Sequence, residues 1–130
     1  MEGISLPLGM QYTDTRSKRL TFSRDLTLAS GNVSYTGAGF KPSEAFLSAA
    51  VDGTNCYTQG KFDKDGTISA LSGDYATLGK VRIGGVFYLN QSAGYVLITL
   101  VTYDSDGITL HYDKTGSPTG TAAIEIVLKR

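Results

Sequence analysis

The final segment of the chain, residues 101–130, consists of strand-like stretches separated by two strong turn signals. Between the turns, apolar residues at 108, 110 and 112 alternate with polar residues at 109, 111 and 113. A period of two is typical of a β-strand with one buried face. The turns, D-S-D-G at 104–107 and K-T-G-S-P-T-G at 114–120, are rich in residues that end strands. This segment therefore predicts a sheet and carries little chemistry of its own.

Similar short stretches follow one another from residue 19 onwards, and no stretch has the periodicity of an amphipathic helix. Sixteen glycines and eight tyrosines suit an all-β domain with tight turns. The sequence predicts one all-β domain, a single β-sandwich of jelly-roll type with about eight to ten short antiparallel strands. The predicted strands lie near residues 19–28, 32–36, 44–51, 55–63, 67–71, 80–89, 93–103, 108–113 and 121–129.

Three of these stretches carry more specific expectations. Residues 43–50 fit either a short helix or a strand, and we favour the strand. Residues 80–89 predict one strand with a bulge or bend at Gly84 and Gly85. Residues 93–103 are almost continuously apolar, which predicts a central strand covered on both faces.

The chain divides into an N-terminal arm, residues 1–17, and a β-sandwich domain, residues 18–130. The arm contains four apolar residues of one parity, Ile4, Leu6, Leu8 and Met10. Pro7 and Gly9 interrupt the other parity, which argues against a core strand. The arm is either a frayed terminus or a segment that docks on a neighbouring subunit. We favour docking, because four exposed apolar side chains suit a free tail poorly.

A modest basic cluster follows, formed by Arg16, Lys18, Arg19 and Arg24. It is either a solvated strand face or a contact with an acidic protein surface. The formal net charge of the whole chain is zero, so we expect no nucleic-acid partner. No apolar run approaches the ~20 residues of a membrane helix, and we expect neither a secretory signal nor a membrane partner.

Candidate catalytic and metal-binding groups are few. The only histidine, His111, lies on the polar parity of its strand, and the only cysteine, Cys56, is most simply a small buried hydrophobe. The turn D-K-D-G at 63–66 resembles the middle of a calcium loop, but Lys61 and Ser72 stand at its two end positions. A hairpin with a left-handed glycine explains that turn better, although calcium could bind weakly if the two Asp-rich turns met. We therefore predict no catalytic residues, no cofactor and no metal.

Two segments carry a family resemblance. Residues 36–42 read T-G-A-G-F-K-P, which is similar to a T-G-x-G-F-x-P pattern in small β-domains of tailed-bacteriophage virions. Residues 105–110 and 114–121 read S-D-G-I-T-L and K-T-G-S-P-T-G-T, and resemble the closing S-D-G-F-T-L and K-T-G-x-P-T-G-T patterns of the same proteins. Ile108 stands where that pattern has phenylalanine, and Tyr112 where it often has tryptophan.

The resemblance implies a non-enzymatic virion structural protein, made in the host cytoplasm and located on the capsid surface. Its short arm and single domain favour a capsid decoration (cement) protein over a long tail fibre. We expect a homotrimer that binds the major capsid protein, since several weak contacts made together gain avidity. The expected contact residues are the four apolar residues of the arm and the four cations of the basic cluster.

The alternative is a tail-fibre or receptor-binding module that recognises host-surface carbohydrate, since lectin domains of the H type have a related appearance. Tyr57, Tyr75 and Tyr95 would then stack on sugar rings. The competing interpretation of each tyrosine is an ordinary residue on a sheet face, and the absence of tryptophan makes sugar stacking less attractive.

Overall fold

The computed structural model describes residues 16–73 and 81–130, and for residues 81–83 it describes the backbone alone. The described residues form ten strands and no helix, which confirms the all-β prediction. The strands are β1 (Ser17–Asp25), β2 (Gly31–Thr36), β3 (Glu44–Val51), β4 (Tyr57–Phe62), β5 (Ile68–Gly73), β6 (Val81–Gly84), β7 (Phe87–Gln91), β8 (Gly94–Asp104), β9 (Gly107–Gly116) and β10 (Thr121–Lys129).

These strands build two antiparallel sheets. The six-stranded sheet has the order β1-β10-β3-β4-β5-β6, and the four-stranded sheet has the order β2-β9-β8-β7. Strands β3 to β6 follow one another as a meander in the first sheet, and β7 to β9 do so in the second. The pairs β1–β10 and β2–β9 join strands from opposite ends of the described chain. Each sheet therefore contains one pair of neighbouring strands that are remote in sequence.

One hydrophobic core lies between the two sheets. Strand β10 shows how the sequence builds it, because Ala122, Ile124, Ile126 and Leu128 are all buried while the residues between them face outwards. The ring of Phe62, on β4, lies 4.8 Å from the ring of Phe87, on β7. Burying a side chain of this size contributes about 1.5–3 kcal/mol. The sheets are thus held face to face by apolar contacts.

Strand β3 settles the alternative left open for residues 43–50. Residues Glu44–Val51 form a strand, as favoured, and its buried side chains alternate with exposed ones. A helix would place those buried residues around its circumference instead of on one side. The period of two, Ala45 to Val51, therefore outweighed the helical propensity of the alanines.

The prediction of one strand over residues 80–89 is wrong. Val81–Gly84 pairs with β5 in the six-stranded sheet, whereas Phe87–Gln91 pairs with β8 in the other sheet. Gly84 and Gly85 therefore mark the point where the chain passes between sheets, not a bulge within one strand. Phe87 and Leu89 then face the core from the second sheet and are fully buried.

The expectation that residues 93–103 would be covered on both faces is also wrong. Strand β8 does lie inside its sheet, between β9 and β7. Only one of its faces packs on the core, so Val96 and Ile98 are buried while Val101 is 48% exposed. The register shifts between Leu100 and Thr102, and this bulge leaves Val101 outside the ladder. Apolar composition alone did not distinguish a one-sided from a two-sided strand.

Candidate functional site

Residues 36–42 and 105–110, two of the stretches that carry the family resemblance, meet in space around Asp106. The amide of Gly37 donates to Asp106 Oδ2 at 3.1 Å, and the amide of Gly39 donates to Asp106 Oδ1 at 2.6 Å. The amide of Ala38 donates to the backbone carbonyl of Asp106 at 3.0 Å. Gly37 and Gly39 have φ of 101° and 82°, values that favour glycine. The T-G-A-G-F motif is therefore a backbone nest for the aspartate of the S-D-G motif.

The closing K-T-G-S-P-T-G-T segment is held in a similar way. The side chain of Gln91 accepts from the amide of Thr119 at 2.9 Å and donates to the carbonyl of the same residue at 2.7 Å. A Cβ on Gly116 would lie 2.6 Å from the carbonyl oxygen of Ala93, and Gly116 has a φ of 75°. Gly116 and Thr119 therefore shape the loop, and the backbone amide and carbonyl of Thr119 are both hydrogen-bonded within the chain.

The turn at residues 63–66 is the hairpin that the sequence predicted. Gly66 has a φ of 85°, and its amide donates to the carbonyl of Asp63 at 3.0 Å. Asp65 Oδ1 accepts a hydrogen bond from the amide of Thr67 at 3.0 Å. Hydrogen bonding by Thr67 lowers the pKa of the exposed Asp65 carboxyl group. The second Asp-rich turn differs, because its glycine, Gly107, lies against the backbone of β2. A Cβ added at Gly107 would lie 1.8 Å from the carbonyl oxygen of Tyr35.

The first carboxylate of each Asp-rich turn has a partner close in sequence. Asp63 pairs with Lys61 at 3.0 Å, and Asp104 Oδ2 accepts from Thr109 Oγ1 at 2.6 Å. Within residues 16–73 and 81–130, no group of three or more His, Cys, Asp or Glu residues is placed to hold a metal ion. The same residues include no helix long and apolar enough to cross a membrane.

The structure separates His111 from Cys56. His111 lies on the solvent side of the four-stranded sheet, where its Nδ1 donates a hydrogen bond to Asn32 Oδ1 at 2.7 Å. Cys56 is 1% exposed and belongs to the core, as the sequence predicted. Because the sheet lies between the two side chains, they do not form a nucleophile–base pair.

A tyrosine cluster lies at the margin of the core between β1 and β2. The hydroxyls of Tyr35 and Tyr112 are 2.7 Å apart, and the ring of Tyr35 stacks on Phe22 with 3.8 Å between centroids. Burial raises the pKa of both hydroxyls, that of Tyr112 the more strongly. Both groups therefore stay neutral near pH 7, and their role is to close the core with a satisfied hydrogen bond.

The structure divides the basic cluster between two faces. Arg24 lies on the core side of β1, with its guanidinium 4.3 Å from the ring centroid of Tyr112 and 3.0 Å from the carbonyl oxygen of Ala29. Arg19 lies on the opposite side of β1, facing away from the core, and pairs with Glu125 at 2.6 Å. Arg16 donates to the carbonyl of Gly39 at 3.3 Å, and Lys18 is exposed. Three of the four cations therefore have internal contacts.

The remaining predicted residues are placed only in part. Ile4, Leu6, Leu8, Met10 and Tyr75 lie outside the described residues. Tyr95 stacks on Tyr88 on the solvent side of the four-stranded sheet, with 5.0 Å between the ring centroids. Tyr57 is 39% exposed on the six-stranded sheet, and its ring lies over Gly73, the residue opposite it in the ladder. Tyr57 therefore covers a glycine backbone that has no side chain of its own.

The most distinctive surface of the described chain is the outward side of the six-stranded sheet from β1 across β10, β3 and β4 to β5, which we call the outer face. Phe46 is 41% exposed there, and Leu71, like Tyr57, is 39% exposed. Two shallow grooves of about 470 Å³ and 440 Å³ lie on the outer face and share Ser48 and Gln59. The grooves exist because small side chains lie between larger ones.

Charged side chains lie at the margins of the outer face, and one lines each groove, Lys61 the first and Glu125 the second. Lys61 and Asp63 form one ion pair at its margin, and Arg19 and Glu125 form another. Lys129 lies over the ring of Phe46, 5.6 Å from the centroid. The centre offers apolar surface and neutral polar groups, a combination typical of a contact surface and not of a catalytic centre.

Sequence reasoning did not identify this surface, because it followed the buried parity of each strand. The available signal was the opposite parity of β3 and β4, where residues 46, 48, 50, 57 and 59 include no charge and only the end positions, Glu44 and Lys61, are charged. For a solvated sheet face, charged and polar residues are the usual occupants.

No protein-family model matches this chain, and no curated protein shows significant similarity to it.

Proposed function

We propose that this chain is a non-enzymatic virion structural protein of a tailed bacteriophage, and that it acts as a capsid decoration protein. It assembles as a homotrimer and binds the major capsid protein on the surface of the head shell. The observation that carries the proposal is the union of the resembling motifs, in which the amides of Gly37 and Gly39 hold Asp106. Residues far apart in sequence that resemble one family also lie in one structural unit, which supports the proposal.

The outer face supports a role in binding. A decoration protein needs broad, modest contacts with several neighbours, and their avidity replaces a deep pocket. The exposed Phe46, Tyr57 and Leu71 supply apolar contact area, and the charged residues around them supply a polar rim. This is the usual anatomy of a protein interface.

The finer architecture is part of the same proposal. We infer a β-sandwich related to the jelly roll, in which β1 and β10 pair in one sheet while β2 and β9 pair in the other. In that topology, strands near the two ends of a chain wrap around each other in this way. The meander of β3 to β6 is then an extension of one sheet.

Binding to purified capsids tests the function directly. Capsids assembled without this protein are mixed with the full chain, pelleted, and examined for occupancy and for added density by electron microscopy. We expect saturable binding, ordered density on the head shell and greater resistance of the shell to heat. Density confined to the tail of intact virions, together with no binding to capsids, would overturn the proposal.

The alternative, a module that binds host carbohydrate, is favoured by one observation. Tyr57 is partly exposed beside Gln59 on the outer face, and an aromatic ring next to an amide is suited to a sugar ring and its hydroxyls. A glycan array probed with the intact oligomer tests it. Reproducible hits that disappear in Tyr57→Ala, while capsid binding is absent, would favour the alternative.

A further inference from the structure

We propose that the grooves of the outer face receive residues 4–10 from the arm of a second copy of this chain. The inference rests on the oligomer in the proposed function and specifies how the copies hold one another. Its test needs no capsid, so the two proposals can fail separately.

The chemistry of the segment matches the chemistry of the grooves. Residues 3–13 contain no charged side chain, and the one charged lining residue of each groove, Lys61 or Glu125, is neutralised by an ion pair. In an extended segment, Ile4, Leu6, Leu8 and Met10 would point to one side at intervals of about 6.7 Å. The small residues of the grooves, such as Ser48 and Ala50, leave space for such side chains between Phe46 and Tyr57.

The arm suits the face of the sheet better than its edge. An edge contact depends on a continuous ladder of backbone hydrogen bonds, and Pro7 has no N–H to contribute. Gly9, on the same parity as Pro7, adds no side chain to that contact. All the large side chains of the segment lie on the other parity, which is the one that would enter the grooves.

The geometry of the chain at Arg16 favours a second copy over the same copy. The amide of Arg130 donates to the carbonyl of Arg16 at 3.0 Å, so residue 16 still continues the β1–β10 ladder. A continuation of this ladder beyond residue 16 would lead off the end of the six-stranded sheet. To reach the outer face of its own domain, the arm would have to reverse direction.

The five residues between Met10 and Arg16 leave little length for that reversal. Fully extended, they span at most about 20 Å. The junction of the grooves at Gln59 lies roughly 22 Å from Arg16, since three strand spacings cost about 14 Å and the five residues from Arg16 to Thr21, which lies at the same level on β1, cost about 17 Å. A reversal through a β-turn shortens four residues to under about 7 Å, so Met10 of the same copy falls further short of the junction. The neighbouring copy has no such restriction.

Disulfide trapping tests where the segment lies. A chain with Leu8→Cys is mixed with a chain with Gln59→Cys, and the mixture is oxidised mildly with diamide. Gln59 is exposed at the junction of the grooves, whereas the natural Cys56 is buried and stays shielded in the folded protein. The matched control replaces Gln59→Cys with Thr115→Cys, which is exposed on the other sheet.

We expect the Leu8–Gln59 disulfide between different chains to form at least about tenfold faster than the Leu8–Thr115 disulfide, because docking raises the local concentration. Equal rates for the two pairs would overturn the proposal. A double variant carrying both cysteines, diluted until copies no longer meet, should then form little internal disulfide. Efficient internal closure would show that the arm serves its own domain and would overturn the second-copy assignment.

A charge placed in the groove provides an independent measurement. By sedimentation, Gln59→Glu and deletion of residues 1–10 should each weaken self-association at least about tenfold, equal to 1.4 kcal/mol. Thr115→Glu should leave self-association unchanged, and none of the exposed substitutions should lower the melting temperature at dilutions where the chain is monomeric. A wild-type chain that stays monomeric at every concentration would overturn the inference. A chain that self-associates but does not bind capsids would instead contradict the proposed function alone.

Discussion

The carboxylate of Asp106 accepts a hydrogen bond from the amide of Gly39 at 2.6 Å. This bond joins the β8–β9 turn to the segment that follows β2. The two residues are separated by 67 positions in the chain. Together with the contact to Gly37, this clasp fixes one end of the four-stranded sheet. It also explains why an aspartate follows the serine in the S-D-G motif.

Removing the clasp should destabilise the domain without changing its surface chemistry elsewhere. Asp106→Ala loses two charge-assisted hydrogen bonds, and we expect a loss of about 1–3 kcal/mol in the free energy of unfolding by denaturant. Ser105→Ala, at the neighbouring exposed position of the same turn, is the control and should be close to neutral. Equal midpoints for both variants would contradict the role given to Asp106.

Gly107 should be far less tolerant of a side chain than Gly31, although both are strand glycines. A Cβ on Gly107 would lie 1.8 Å from the carbonyl oxygen of Tyr35, whereas one on Gly31 meets nothing within 4 Å. We expect Gly107→Ala to lower the unfolding free energy by more than about 3 kcal/mol and Gly31→Ala to change it by less than about 1 kcal/mol. Thermal melting of both variants checks this, and a stable Gly107→Ala would show that β2 and β9 separate easily.

Stability should fall at alkaline pH because burial raises the pKa of Tyr112, and also that of Tyr103, far above the ordinary value of 10.0. Above about pH 10 the unfolded chain releases these protons while the folded chain retains them. The free energy of unfolding should then decrease by about 1.4 kcal/mol per pH unit for each such group. It should be unaffected by these groups below that range.

Denaturant unfolding at a series of pH values measures this slope. Tyr112→Phe is the informative variant, since it keeps the ring under Arg24 and removes one ionisable hydroxyl. Its alkaline slope should be shallower than that of the wild type, though not zero, because Tyr103 and Tyr35 remain. An identical slope in the variant would rule out Tyr112 as a contributor.

Arg24 and Lys18 should separate stability from binding within the basic cluster. Arg24→Ala loses the contact with the Tyr112 ring and the hydrogen bond to Ala29, so we expect a loss of about 1–2 kcal/mol in folding stability. Lys18→Ala, at an exposed position, should change stability by less than about 0.5 kcal/mol. If Lys18 contacts the capsid, only capsid occupancy should fall; if both variants melt alike, the internal role of Arg24 is wrong.

The local patterns in the chain were sufficient to predict most of the strands. The alternation in β10 and β3 identified the faces that are buried, because a period of two leaves one arrangement that shields apolar groups. The turn at Asp65 and Gly66 was also predictable, since its geometry depends on adjacent residues alone.

Tertiary structure decided which strands share a sheet and which surfaces remain open. The passage of the chain between sheets at Gly84 and Gly85, and the one-sided burial of β8, depend on partners remote in sequence. The same holds for the division of Arg19 and Arg24 between two faces, and for the outer face around Ser48 and Gln59. The sequence by itself determined the alternation of each strand; the pairing of strands across the fold determined what each side of that alternation meets, because burial is a property of the whole packed domain.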